Sequence, residues 1–434
     1  MAGYTCKGKG RIILPDQNSQ LQENSGELVV IRLPLWWTFG GLIGGLLAGL
    51  LLSGSSAQGP LLQIAGPVGA LWLRALQMTI IPLVAALLVL GIVHMARAAR
   101  AGQAARRMLG LMFMVLILGG AAAALVMPAF LAAFPIPASA SGLIVSDGGI
   151  SQQVPGIGDF ITSLIAPNII AAAAQTAMLP LTIFFALFGL ALAGLPAAQR
   201  DLLIGFFRAV ANTMLTIIGW VLWAAPAGVF ALAIGVAARS GGGAFAALGH
   251  YIVSVCVMGA IVLLGAYLLA LIGARIGLLR FAKALIPAQA VAISTQSSLA
   301  SLPAMLVSAR RLNIREQTAD FVLPLAVAIF RATSPAMNLA VVIYIAALAG
   351  IELPLALMIA GIGVAFIISV GTVSLPGSIS FVVSIGPIAI AMGVPIEPLA
   401  LLVAVEMLPD IMRTAANVTM NVAVTATLDR SIRQ

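Results

Sequence analysis

The sequence predicts an all-α membrane protein with eight transmembrane helices and two re-entrant helical hairpins. Of its 434 residues, 62% are hydrophobic and only 8% are charged, whereas a soluble protein has about 25% charged residues. Since one span takes about 20 apolar residues, the chain has room for eight spans and some shorter pieces. Two further apolar stretches are interrupted by Ser, Thr, Gly and Pro, which indicates hairpins rather than complete spans.

The eight spans are apolar runs, most of them bounded by polar or basic residues. Span one carries the glycine-rich run GGLIGGLLAG, which predicts close helix packing, and Pro82 predicts a kink in span two. Pro167 and Pro180 predict that the fourth region is broken. The spans are predicted at residues 33–53, 64–95, 108–130, 157–198, 201–238, 249–276, 320–349 and 398–427.

The two predicted hairpins carry small polar residues inside apolar surroundings. Residues 284–308 contain AISTQSSLASLPAM, and residues 354–395 contain GTVSLPGSIS. Irregular backbone at membrane depth is tolerated only where it is buried in protein or lines water. The units 284–349 and 354–427 are therefore predicted inverted repeats whose broken helices meet near the membrane midplane.

The basic residues indicate topology and not a nucleic-acid partner. The net charge is +9, but Lys and Arg are scattered at the ends of apolar runs and form no patch with interleaved aromatics. With eight spans, every basic cluster falls on one side, which the positive-inside rule makes cytoplasmic. We expect a multi-pass protein of the inner membrane in contact with lipid, with both termini cytoplasmic and a polar tail at residues 1–30.

The most informative stretch is the apolar segment 404–421, which carries a stripe of polar and charged side chains. A charge at the bilayer centre costs roughly 2.5–3.5 kcal/mol on insertion scales, so the stripe needs partners or a bound solute. Spacings of three, four, seven and eleven residues from Asp410 lie on one helix face. We interpret this face as the binding wall of a transporter. The stripe consists of Glu406, Asp410, Arg413, Thr414, Asn417 and Asn421.

Four motifs in order give the chain a resemblance to a known family. They are TQSSLASLP (295–303), FVLPL (321–325), SVGTVSLPGS (369–378) and DIMRTAANVT (410–419). Residues 33–427 resemble a divergent dicarboxylate/amino acid:cation symporter, the family of the glutamate and aspartate transporters. The resemblance implies a homotrimeric secondary transporter and no enzyme activity. No catalytic residue and no cofactor is expected beyond sodium or a proton as the coupling ion.

The resemblance also implies two domains that move relative to each other like an elevator. Scaffold spans one and two occupy residues 31–101, and scaffold spans four and five occupy 132–240. The transport domain comprises span three at 102–131 and residues 241–434, which hold span six, both hairpins and spans seven and eight.

The same resemblance assigns the binding residues. Arg413 would hold a side-chain carboxylate through its planar fork, and Asp410 would hold the α-amino group. That pair favours glutamate or aspartate over a C4-dicarboxylate, which stays open as an alternative, as do a purely structural Asp410–Arg413 pair and a sensor or anion conductance. The remaining substrate residues would be Thr414, Asn417, Ser334, the hairpin-one tip at Ser297 and Ser298, and the hairpin-two gate at Pro376 and Gly377.

The sequence departs from the family at its sodium sites. Where the family has Asn-Met-Asp-Gly-Thr, this chain has Phe-Arg-Ala-Thr-Ser at 330–334, and hard cations need oxygen ligands. We therefore expect the guanidinium of Arg331 to replace a bound cation, unless it faces lipid or pairs with Glu406. Coupling would then be sodium-independent or weak, with a proton on Glu406 or Asp410 as the other candidate. One weak sodium site is expected at the backbone of Ala328, Ser369, Val370 and Thr372, with Asn417 and Asn421.

Overall fold

A computed structural model describes residues 35–52, 55–56, 58–100, 102–138, 162, 164–240, 243–371 and 377–433, and within these ranges it contains helices and no strand. The prediction of an all-α fold is confirmed. The polar tail at 1–30, Thr372 and Pro376 lie outside the described residues. The helices are α1 (Leu35–Leu52), α2 (Gln58–Gln77), α3 (Ile80–Ala99), α4 (Gln103–Ala133), α5 (Ile169–Ala174), α6 (Met178–Leu192), α7 (Ala197–Trp223), α8 (Ala225–Ser240), α9 (Gly243–Ile272), α10 (Leu278–Thr295), α11 (Leu302–Arg311), α12 (Glu316–Ile329), α13 (Thr333–Leu348), α14 (Leu355–Gly371), α15 (Gly377–Ala391), α16 (Glu397–Leu402) and α17 (Met407–Arg433).

Long apolar helices dominate the described part of the chain. Five stretches are long and apolar enough to cross a membrane, and four shorter apolar helices accompany them. The membrane class is therefore supported, while the count of eight spans and two re-entrant hairpins stays a prediction. The long stretches are Gln58–Ala99, Gln103–Ala133, Ala197–Trp223, Phe245–Ile272 and Glu316–Leu348.

Proline breaks two spans that the sequence analysis treated as continuous or merely kinked. A proline has no N–H, and its ring clashes with the carbonyl four residues earlier. Pro82 accordingly separates α2 from α3 at residues 78–79, four residues before the predicted kink. Pro226 separates α7 from α8, so the single span predicted at 201–238 is wrong.

Spans seven and eight are also broken, and here the breaks lie beside the predicted site. Pro335 opposes the carbonyl of Arg331, and residues 330–332 lie between α12 and α13 outside any helix. In span eight, a turn at 403–406 separates α16 from α17, with Pro409 in the first turn of α17, where proline is tolerated. The segment 404–421 is therefore not one continuous helix, because Glu406 belongs to the turn.

Both predicted hairpin segments are pairs of packed helices. Helix α10 packs against α11, and α14 packs against α15. Gln296 ends α10 in the left-handed region with φ of 51°, a conformation that non-glycine residues rarely adopt, and Pro303 lies in the first turn of α11. Passage of each hairpin into and out of one membrane face stays a prediction.

The helices pack into two main hydrophobic cores. The larger core includes α3 and α13 and fully buried side chains such as Leu83 and Leu87. The second core includes α4, α10, α12 and α17 and buries Phe281, Met305 and Val418 completely. Helix α17 packs against α9, α10 and α12, so its polar face is held inside the molecule. The division into scaffold and transport domains stays a prediction.

The glycine face of α1 packs directly on α8, as the run GGLIGGLLAG predicts. A Cβ atom at Gly49 would lie 2.6 Å from the carbonyl oxygen of Ile234, and one at Gly45 would overlap the carbonyl oxygen of Phe230. These glycines allow the two backbones to approach closely, which is how helices associate strongly in lipid.

Replacing Gly45 by valine is expected to destabilise the protein by about 1–3 kcal/mol, because the added methyl groups must push α1 away from α8. The thermal unfolding midpoint of the purified protein in detergent measures this effect. Gly40→Val on the same helix is the matched control, because a Cβ there meets nothing within 4 Å. Equal midpoints for the two variants would contradict the packing argument.

Candidate functional site

A polar cavity lies where the tip between α10 and α11, the break between α12 and α13, and helix α17 converge. It encloses about 390 Å³ including its open mouth, which is within the usual size of ligand pockets. The lining residues are Gln296, Ser298, Val327, Phe330, Arg331, Asp410, Arg413, Thr414 and Asn417. Six of these nine carry sequence-based assignments, and the structure brings them together from three separate parts of the chain.

Helix α17 supplies the polar wall of the cavity. Asp410, Arg413, Thr414 and Asn417 are each at most 6% exposed and all line the cavity. Their spacing of three, four and seven residues places them on one side of the helix. The Thr414 hydroxyl donates to the Asp410 carbonyl at 2.9 Å, so this hydroxyl is engaged by its own helix.

The guanidinium of Arg413 is already held by the protein at both ends of its fork. Nη2 donates to Oε1 of Glu406 at 2.7 Å, and Nη1 donates to Oδ1 of Asn338 at 2.8 Å. Its Nε lies 3.6 Å from Oδ1 of Asp410, which is beyond good hydrogen-bond distance. The open fork that the resemblance implied for a substrate carboxylate is therefore occupied in this structure.

Glu406 is buried behind Arg413 and does not line the cavity. Its side chain is 2% exposed, and Oε2 accepts a hydrogen bond of 3.4 Å from the hydroxyl of Tyr251, a fully buried residue of α9. The carboxylate thus neutralises Arg413 from the protein side. The pairing of Glu406 with Arg331, which the sequence analysis left open, does not occur.

Arg331 lies in the break between α12 and α13 and lines the cavity. Its Nη1 atom is buried, and no hydrogen-bond partner for it exists in the described part of the chain. Within the same residues, no carboxylate oxygen lies within 4.0 Å of its guanidinium. The cavity therefore receives a positive charge that the neighbouring side chains do not pair.

Two further residues support the cavity wall. The Oδ1 atom of Asn417 accepts hydrogen bonds from the backbone nitrogen and the hydroxyl of Thr333, at 2.9 and 3.0 Å. Ser334 does not line the cavity; its hydroxyl accepts from Nδ2 of Asn338 at 3.0 Å. Ser334 therefore orients the asparagine that holds Arg413, a different position from the substrate contact that the resemblance implied.

The first hairpin tip divides the two predicted serines between different positions. Ser298 lines the cavity, while the Ser297 hydroxyl accepts from the backbone nitrogen of Ala300 at 3.2 Å and shapes the turn. Gln296, which the sequence analysis did not single out, lines the cavity from its left-handed position. Of the second tip, Gly377 begins α15.

The residues expected for a weak sodium site give little support for one. Ala328 lies on the exposed side of α12 and Val370 is buried, while the Ser369 hydroxyl donates to the carbonyl of Ala365 at 2.6 Å. The side-chain oxygen of Asn417 already accepts two hydrogen bonds. Asn421 is the exception, because its buried amide oxygen and nitrogen find no partner among the described residues.

Sequence reasoning did not identify several residues that build the site. Val327 and Phe330 supply apolar lining, and nothing in an apolar span distinguishes them beforehand. Asn338 and Tyr251 hold the Arg413–Glu406 pair, and their signal in the sequence was only that each is a polar group inside an apolar helix. Contacts across α9, α13 and α17 were needed to connect them.

Comparison with known proteins places the chain among transporters. The profile of the Sodium:dicarboxylate symporter family matches residues 35–431. The chain is 29% identical to the proton/glutamate-aspartate symporter of Escherichia coli over 372 residues, which is 83% of each protein. It is 26% identical to the proton/sodium-glutamate symport protein of Geobacillus stearothermophilus, covering 88% of this chain and 90% of that protein. A neutral amino acid transporter B(0) of Bos taurus is also 26% identical, covering 87% of this chain and 76% of the relative.

Proposed function

Because the chain belongs to the sodium:dicarboxylate symporter family, we propose that it moves glutamate or aspartate across the membrane by an elevator mechanism. It is a membrane-embedded, multi-pass secondary transporter and not an enzyme. The proposal includes a homotrimer in the inner membrane with cytoplasmic termini. It also includes a scaffold of spans one, two, four and five, and a transport domain that carries the cavity.

The observation that carries the choice of solute is the pairing of charges in the cavity. Asp410 faces the same space as Arg331 and Arg413, and a zwitterion with an additional carboxylate has groups for all three. A carboxylate beside an ammonium, and a guanidinium beside a carboxylate, form charge-assisted hydrogen bonds that are stronger than neutral ones. Val327 and Phe330 provide the apolar wall that a side-chain methylene needs.

The Arg413–Glu406 ion pair suggests how a proton is coupled to the solute. If a side-chain carboxylate approaches Arg413, two carboxylates compete for one guanidinium in a buried site, and like charges there repel strongly. A proton on Glu406 removes that repulsion and frees a nitrogen of Arg413 for the solute. We therefore propose the proton on Glu406 as the coupling ion.

Sodium coupling is weakened in this proposal, for two reasons. Ala332 and Asn421 stand where the family has carboxylates, and hard cations prefer charged oxygen ligands. In addition, the Arg331 guanidinium brings a permanent positive charge to the cavity, which opposes a second cation. The charge that sodium would supply is then part of the protein.

A C4-dicarboxylate or another carboxylated solute is the alternative. It is favoured by the presence of two guanidinium groups at one cavity, which could each take a carboxylate. Such a solute has no ammonium for Asp410, which would then face it as a repulsive charge, and for this reason glutamate or aspartate is preferred.

Uptake of radiolabelled glutamate into proteoliposomes tests the function and the coupling ion together. We expect uptake to persist when choline replaces sodium and to disappear when a protonophore collapses the proton gradient. Uptake that vanishes without sodium would refute the weakened sodium coupling. In parallel, thermal stabilisation of the purified protein by succinate or malate, but not by aspartate or glutamate, would favour the dicarboxylate alternative.

A further inference from the structure

The two arginines of the cavity differ in how far the protein satisfies them. Both ends of the Arg413 fork donate to acceptors at 2.7 and 2.8 Å. Arg331 has a buried Nη1 without a partner among the described residues, and no carboxylate oxygen of those residues lies within 4.0 Å of it. A buried donor left unsatisfied is costly, and more so when it is charged. An unsatisfied guanidinium beside an open cavity is what a site for an anion requires.

The carboxylate that faces this cavity is also incompletely paired. Asp410 is 5% exposed, and its nearest cation is Nε of Arg413 at 3.6 Å. Arg331 and Asp410 line the same cavity without contacting each other. A cation and an anion held apart across one cavity match the carboxylate and the ammonium of an α-amino acid, which lie on neighbouring atoms.

We propose that Arg331, rather than Arg413, is the residue that anchors a carboxylate of the transported solute, while Asp410 binds the ammonium. This inference rests on the proposed function for the chemical class of the solute. It differs from the assignment that the family resemblance implies, in which Arg413 binds the carboxylate. Arg413 remains bonded to Glu406 and Asn338 when a neutral α-amino acid binds. It is called upon only by a second carboxylate, after Glu406 is protonated.

Substitution of Arg331 in the full-length protein, with binding measured by calorimetry in detergent, tests the proposal. Arg331→Gln is expected to weaken glutamate binding roughly 10- to 100-fold, the usual effect of losing a charge-assisted hydrogen bond. Arg331→Lys is expected to lose less, because it keeps the charge and loses only the planar fork. Arg310→Gln is the matched control, because Arg310 is exposed and pairs with the exposed Glu316 at 2.7 Å.

The thermal unfolding midpoint separates binding from a structural role. If Arg331 waits for a ligand, the empty Arg331→Gln protein should unfold at a higher temperature than the natural protein, and glutamate should no longer raise that temperature. Destabilisation of the empty variant would show that Arg331 holds the fold, and would overturn the proposal. Glutamate binding to Arg331→Gln within a factor of two to three of the natural protein would overturn it as well.

Failure of this inference and failure of the proposed function give different results. If the natural protein binds glutamate and Arg331→Gln binds it equally well, the anchor is elsewhere and the transported class stands. If the natural protein binds succinate but not glutamate, the proposed solute is wrong, and loss of succinate binding in Arg331→Gln still supports the anchor. Alanine binding that is also lost in Arg331→Gln would assign the anchored group as the α-carboxylate.

Discussion

Replacing Arg413 by methionine is expected to destabilise the protein by about 3–5 kcal/mol, the usual cost of removing one partner of a buried ion pair. Glu406, at 2% exposed, would lose its 2.7 Å partner, and Asp410 would lose its nearest cation. Two carboxylates would then lie in a buried site without a compensating charge. We expect glutamate uptake to fall to background, and the unfolding midpoint in detergent measures the loss of stability.

The double variant Arg413→Met/Glu406→Gln separates the two effects. It removes both charges of the pair, and replacing a buried ion pair by neutral groups is often neutral or stabilising. We therefore expect the double variant to recover most of the stability that Arg413→Met loses, without recovering glutamate uptake. If Glu406→Gln does not restore stability in the Arg413→Met background, the 2.7 Å ion pair is not what makes Arg413 structurally necessary.

Replacing Asp410 by asparagine is expected to weaken binding of glutamate and aspartate by roughly 10- to 150-fold, corresponding to the loss of a charge-assisted hydrogen bond worth about 1.5–3 kcal/mol. The solute ammonium would lose its carboxylate partner in a cavity that keeps two guanidinium groups. Stability should change little, because the contact of Asp410 with Arg413 is long, at 3.6 Å. Calorimetric titration of the purified variant measures the change.

Succinate provides the internal comparison for this variant, because it has two carboxylates and no ammonium. Removing the charge of Asp410 should improve succinate binding while it weakens glutamate binding. Asp320→Asn, at an exposed position on α12, is the matched control and should leave both unchanged. Equal losses for glutamate and succinate in Asp410→Asn would mean that Asp410 organises the cavity and does not recognise an amine.

Local sequence features predicted some of the packing correctly and some of the helix boundaries wrongly. The glycine run of span one predicted a close helix contact, and Gly45 and Gly49 make that contact with α8. The prolines predicted irregularity, but Pro335 and Pro409 were not recognised as breaking spans seven and eight. Proline acts on the carbonyl four residues earlier, and its effect inside an apolar span depends on whether neighbouring helices compensate for the lost hydrogen bond.

The sequence by itself determined the membrane class, the all-helical fold and the polar residues that matter. This is because apolar length, charge scarcity and a stripe at helical spacing are properties of the chain alone. Only the tertiary structure decided how the charges are paired. Whether Arg413 or Arg331 is free for a ligand depends on Glu406 and Asn338, which approach Arg413 from a turn and from another helix. Such pairing depends on distances between atoms far apart in the sequence or outside the helix repeat, and electrostatic energies change steeply with those distances.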